Sequence, residues 1–273
     1  MIVYINSTAR NQGQSTFAYS FAKIYGNMSN QPTLLISLRD DSFVRMVTRL
    51  PEAYEFSSID AMVQRATGKG NFMPSTYKLE NTLYYYNAKG ATLNNQISIK
   101  SIEDLLIKAQ VDFSMVVVDA DISVNNFYNF VHIIDKLVLT VSPNIVALNS
   151  MADSMERTVE KYETAKSQKI PCEIYYVVTK YDESLALSEV YKELGGSSRN
   201  VLPVAYNLNL AKNHNKGKLD DYITNMLIDA KTVDRKYLIN FREAIKKVTG
   251  FRMPSRKIDV PDPSKNRRKG SKR

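Results

Sequence analysis

Cysteine is almost missing from this 273-residue sequence, and the single one, Cys172, excludes an internal disulfide. Histidine is nearly as scarce. With only His132 and His214 beside one cysteine, a Cys/His zinc site is not expected, and each histidine reads as an ordinary surface or core residue. Long apolar runs are also lacking, since none approaches the roughly 20 residues that a membrane-spanning helix needs. The opening residues Met1-Ile2-Val3-Tyr4-Ile5 carry no basic segment or cleavage signature of a secretory leader, so a cytoplasmic location is the default expectation. Acidic residues run short only at the C-terminal end. There, nine Lys and Arg, Arg252 the first and Arg273 the last, face two acids, Asp259 and Asp262, for a local charge of +7. Residues 1–251 therefore hold only +2 of the total +9, and the pI of 9.3 belongs to a tail rather than to a basic domain.

What is present is ordinary for a soluble globular chain: 44% hydrophobic and 24% charged residues. The length suits one large core or two small ones. We expect one domain over residues 1–251, then a tail over 252–273 whose charge and lack of apolar period predict disorder.

Short β-branched or aromatic runs alternate with helical patterns. Strands are expected at 2–6, 33–38, 81–87, 113–119, 136–142, 173–179 and 201–206. Helices are expected at 15–25, 41–50, 57–66, 101–110, 147–166, 219–230 and 234–248, with a turn at 27–30 and an exposed loop at 68–76. Such alternation predicts an α/β fold, a doubly wound and mostly parallel sheet with helices on both faces. No internal repeat is evident.

The first strand runs into Ser7-Thr8-Ala9-Arg10-Asn11-Gln12-Gly13-Gln14-Ser15-Thr16, where a helix begins. A phosphate-binding loop reads G-x-x-x-x-G-K-[ST]. Its backbone N–H groups and helix N-terminus cradle phosphate, its lysine reaches the β/γ oxygens, and its hydroxyl binds magnesium. In that register Thr8 replaces the first glycine, Gly13 is kept, Gln14 replaces the lysine and Ser15 is kept. A ligand-free strand–turn–helix fits the same residues about as well. Met115-Val116-Val117-Val118-Asp119, an apolar strand closed by a carboxylate, supplies a candidate magnesium holder through water. Strand ends are also often capped by aspartate for no catalytic reason.

Five segments together resemble the MinD/ParA group of P-loop ATPases over residues 1 to about 230. They are the loop itself, Ser101-Ile102-Glu103-Asp104-Leu105-Leu106 leading into the Asp119 strand, Leu139-Thr140-Val141-Ser142-Pro143 before a long helix, Val177-Val178-Thr179-Lys180-Tyr181-Asp182, and Leu202-Pro203 followed by Ala211-Lys212-Asn213 and Gly217-Lys218. The resemblance implies a P-loop NTPase-like domain, ATP and Mg²⁺ as ligands, and a nucleotide-sandwich homodimer. It places Gly13, Gln14, Ser15 and Thr16 at phosphate, Ser15 and Asp119 near magnesium, and Thr179 and Asp182 near the base. Thr179-Lys180-Tyr181-Asp182 also fits a guanine signature, with adenine the family's usual base.

Departures from the family pattern all point one way. Its loop carries two lysines, which are Ala9 and Gln14 here, and Arg10 and Asn11 stand at glycine positions. Ser37 and Arg39 occupy the places of an acidic pair at the end of the second strand. Charged donors to phosphate contribute about 1.5–3 kcal/mol each, and clamps on a transition state contribute more. Their joint loss implies a degenerate site, a pseudo-ATPase with little or no hydrolysis and with weak or absent nucleotide binding. The expected role is positioning or assembly for a pilus, secretion, conjugation or plasmid-maintenance machine, with protein partners. The rival is a slow but active ParA-type ATPase that binds DNA non-specifically through its tail, with Arg10 or a partner supplying charge. In residues 237–251, Tyr237, Leu238, Phe241, Ile245 and Val248 share one face. That face either packs on the sheet, the preferred reading, or docks on an anionic membrane. The tail suits DNA phosphates or acidic lipid, which would make the protein nucleoid- or membrane-associated.

Overall fold

The computed structural model describes residues 1–7, 9, 11–38, 76–87, 99–120, 131–229 and 231–251. Expected helices at 41–50 and 57–66, most of the 68–76 loop and the tail at 252–273 lie outside the described residues. So do Thr8, Arg10 and Arg39.

Among the described residues, eight strands form one sheet: β1 (Ile2–Asn6), β2 (Thr33–Leu38), β3 (Tyr77–Lys78), β4 (Leu83–Asn87), β5 (Met115–Ala120), β6 (Lys136–Val141), β7 (Glu173–Tyr181) and β8 (Val201–Ala205). Their spatial order is β3-β4-β2-β5-β1-β6-β7-β8, parallel throughout except where the short β3 pairs antiparallel with β4. The described helices are α1 (Gln14–Ser29), α2 (Ile99–Asp112), α3 (Ile145–Lys166), α4 (Leu187–Glu193), α5 (Leu208–Asn215), α6 (Leu219–Ile228) and α7 (Thr232–Thr249), with a single 3₁₀ turn at Val131–Ile133. The expected α/β fold with a mostly parallel sheet is what forms.

Strand alternation builds two cores. Successive side chains of a strand point to opposite faces. Ile2 and Tyr4 of β1 accordingly join the core beneath α2 and α3, while Val3 and Ile5 join the one beneath α1, α6 and α7. The Met115-Val116-Val117-Val118 run is buried throughout, as a central strand covered on both faces must be. Pro203 has no N–H for a ladder, and it sits in β8, the last strand of the described sheet.

Helix ends carry their own signals. Asn144 caps α3 by accepting from the Ala147 amide at 2.8 Å. Asn30 ends α1 in the left-handed region (φ +53) and donates its amide to the Gly26 carbonyl at 3.0 Å. The turn expected at 27–30 is therefore a correction: Asn27, Met28 and Ser29 complete α1, and the polar residues mark its last turn and cap. The described elements that went unpredicted are β3, the 3₁₀ turn, α4 and α5. All are short, and eight residues or fewer give little periodicity to read.

Candidate nucleotide site

Parallel sheets bind ligands beyond the carboxyl ends of their strands, and the loop between β1 and α1 lies there. Gly13 precedes α1 with φ +73, a conformation that favours glycine. A Cβ there would sit 3.4 Å from the Thr179 hydroxyl. Among the described residues, no side chain caps the first turn of α1, and no acidic residue lies in that turn. Its leading amides thus lack intrahelical partners at the positive end of the helix dipole, which suits an anion.

Neighbouring strand ends hold the loop in place. The Ser142 amide, just past β6, donates to the Gln12 side-chain oxygen. The Thr179 hydroxyl donates to the Gln12 carbonyl at 2.7 Å, and the Lys180 ammonium donates to the Asn11 carbonyl at 3.0 Å. Asn11, Gln12, Thr179 and Lys180 border a cavity of about 600 Å³. Ser15, Thr16, Asn207, Leu210 and His214 also line it. Phe17 and Phe241, with rings 4.9 Å apart, form part of its apolar floor.

Gln14 does something the sequence did not reveal. Its side chain is buried. The amide nitrogen donates to the Asp119 carboxylate at 2.8 Å and also reaches the carbonyls of Ile5 (3.2 Å) and Ala120. With two hydrogens for three acceptors, it closes the ends of β1 and β5 together. Asp119 is likewise buried, and β5 pairs it with Ser37 of β2 in register.

The expected site residues thus fall into two groups. Gly13, Gln14, Ser15, Thr16 and Thr179 border the cavity; Asp119 and Asp182 do not. Asp182 accepts from the Ser184 hydroxyl at 2.6 Å and from its amide at 3.1 Å, and those hydrogen bonds hold its carboxyl below the usual range. That side chain stabilises a local turn. For a bound nucleotide, the α1 N-terminus, Ser15, Thr16 and Lys180 fit the phosphates. For magnesium, Ser15 lies on the wall while Asp119 is directed at Gln14. Sequence reasoning passed over Gln12, Lys180 and the α5 wall. Lys180 was visible inside the Thr179–Asp182 motif, but the motif drew attention to its ends.

The apolar face of α7 is not available to a membrane. Tyr237, Leu238, Phe241, Ile245 and Val248 are all buried in the core against α1 and the sheet, as the preferred reading of that helix expected. Anionic-membrane docking through this face is therefore corrected: the residues that would enter lipid already pack inside the protein.

No family model matches the sequence, and no curated protein matches it. Solved structures do match in fold. A ParA family ATPase from Chlorobium tepidum superposes with a TM-score of 0.69 at 13% identity, covering 88% of this chain and 97% of that one. A septum site-determining protein MinD from Pyrococcus horikoshii, complexed with Mg-ADP, matches at 0.65 and 11%, over 91% and 97%. A putative plasmid partition protein from Borrelia burgdorferi bound to AMPPNP matches at 0.59 and 15%, over 89% and 98%. The strand order, the loop between β1 and α1 and these superpositions agree: the chain has the P-loop fold of the MinD and ParA ATPases.

Proposed function

We propose that this chain is a MinD/ParA-like positioning or assembly protein that keeps a nucleotide pocket but has lost hydrolysis, a pseudo-ATPase. Gln14 carries the reading. It stands where the phosphate-gripping lysine belongs, and its neutral amide is committed to Asp119 and two strand carbonyls. A position that should stabilise developing charge on the phosphates instead ties two strands together. Ala9, Ser37 and Arg39 add to the loss. The ligand is ATP or ADP, held weakly and with little help from Mg²⁺. The working form is a homodimer serving a larger machine such as a pilus, secretion, conjugation or plasmid-maintenance apparatus, and its location is cytoplasmic.

Calorimetry with ATP, ADP and GTP, with and without magnesium, together with phosphate release, tests this. Binding without turnover is expected. Turnover that disappears in both Ser15→Ala and Asp119→Ala would replace the reading with a slow, active ATPase. Absence of binding at millimolar nucleotide would leave the fold with a purely structural role.

The +7 charge of residues 252–273 favours a second activity, non-specific DNA binding through phosphate contacts. Deleting those residues should abolish a salt-sensitive DNA affinity. Unchanged affinity would reject the tail as the binding element.

A further inference from the structure

A bulge brings a lysine to the loop. The pairing of β7 with β8 shifts register between Val178 and Tyr181, so residues 179 and 180 leave the regular ladder. Bulges of this kind re-aim side chains and recur beside functional sites. Lys180 sits in the left-handed region at φ +55, a conformation that a non-glycine residue seldom adopts. The conformation places its ammonium 3.0 Å from the Asn11 carbonyl, at the rim of the cavity that the α1 N-terminus also faces.

We propose that Lys180 is the phosphate-neutralising cation of this pocket, in the role that position 14 has given up, for a nucleoside di- or triphosphate. The inference rests on the nucleotide reading above and adds the residue that supplies its charge. Lys180 carries three N–H donors, and Asn11 takes one of them. Among the described residues of the cavity wall, no aspartate or glutamate opposes it and no other lysine or arginine joins it. The uncapped α1 N-terminus adds partial positive charge at the same cavity. Thr179 and Lys180 also hold the Gln12 and Asn11 carbonyls toward β7. In planar trans peptides this turns the following amides, of Gly13 and Gln12, to the opposite side. One bulge thus both shapes the loop and delivers a cation to it.

The test is calorimetric titration of the full chain with ADP and AMP, comparing wild type with Lys180→Met, Lys180→Arg and a charge control, Lys212→Met on the exposed side of α5. Lys180→Met should weaken ADP binding about 10- to 100-fold and AMP binding much less, while Lys180→Arg retains most of the affinity. The ADP affinity of the wild type should fall more steeply with salt than that of Lys180→Met. Equal losses for ADP and AMP would overturn the proposal, because a loop that is merely misfolded weakens both. Equal losses in Lys180→Met and Lys212→Met would also overturn it, as would unaltered ADP binding in Lys180→Met; these outcomes leave the nucleotide reading standing. A wild type that binds no ADP at millimolar concentration overturns both.

Discussion

The Gln14 amide donates to the Asp119 carboxylate across 2.8 Å, joining two residues 105 positions apart in the chain. With the Ile5 and Ala120 carbonyls, it makes the Gln14 side chain a neutral strut between β1 and β5.

Gln14→Lys tests how much of the site survives. The ammonium would restore a charge worth about 1.5–3 kcal/mol against phosphate. ATP affinity should rise about tenfold or more by calorimetry, with no increase in phosphate release, because Ala9, Ser37 and Arg39 remain. A clear gain in turnover would show those departures to be harmless.

Lys23 anchors α1 through a charge cluster in which the lysine is buried and its two carboxylate partners are partly exposed. Its side chain is 0% exposed and its ammonium lies 2.6 Å from Glu80 and in contact with Asp220, which also accepts from the Tyr19 hydroxyl. Removing one partner of a buried ion pair leaves the others uncompensated. Lys23→Met should therefore destabilise the fold by about 3 kcal/mol in urea titrations, and adding Asp220→Asn should recover part of that loss.

Alkaline pH should weaken the fold through Tyr222. Burial first, and then its hydrogen bond to Asp234, push its phenol up to about 12 from the usual 10.0. The folded state holds this proton more tightly than the unfolded chain. Its contribution is therefore complete below pH 10 and is lost as pH rises toward 12. Tyr222→Phe should flatten the fall in stability over that window, read as urea midpoints at successive pH values. An unchanged slope would assign the effect to other tyrosines.

Phe241 distinguishes packing from membrane docking. It is 1% exposed, with ring centroids 4.9 Å from Phe17 and 5.1 Å from Tyr237. Phe241→Ala should cost about 3–5 kcal/mol in denaturant titrations. A stability close to wild type would mean that α7 contributes little to the core.

Local pattern made most of the sheet legible. β1 and β2 begin and end where their apolar runs do, and Val116, Val117 and Val118 announced a central strand. Gly13 and Asp119 could be placed at strand and loop ends because both signals are local. Short elements escaped: β3 has two residues, and its antiparallel pairing depends on where β4 already lies. The end of α1 differs from the expectation because Asn27 and Ser29 have turn-like chemistry, which the packing of Tyr25 against Phe251 and of Gly26 beside Thr33 and Thr82 overrides.

By itself the sequence determined the alternation of strands and helices, the glycine at the loop, the missing lysines and the basic tail. Each is a matter of residue type and short-range spacing. Only the tertiary structure decided that Gln14 faces Asp119, that a bulge brings Lys180 to Asn11, that Asp182 stays outside the cavity and that the α7 face is buried. Those outcomes depend on which strands become neighbours, and the β5-β1-β6-β7 order joins chain segments more than 100 residues apart. Hydrogen bonds and apolar contacts act over a few ångströms in space, whatever the distance along the chain.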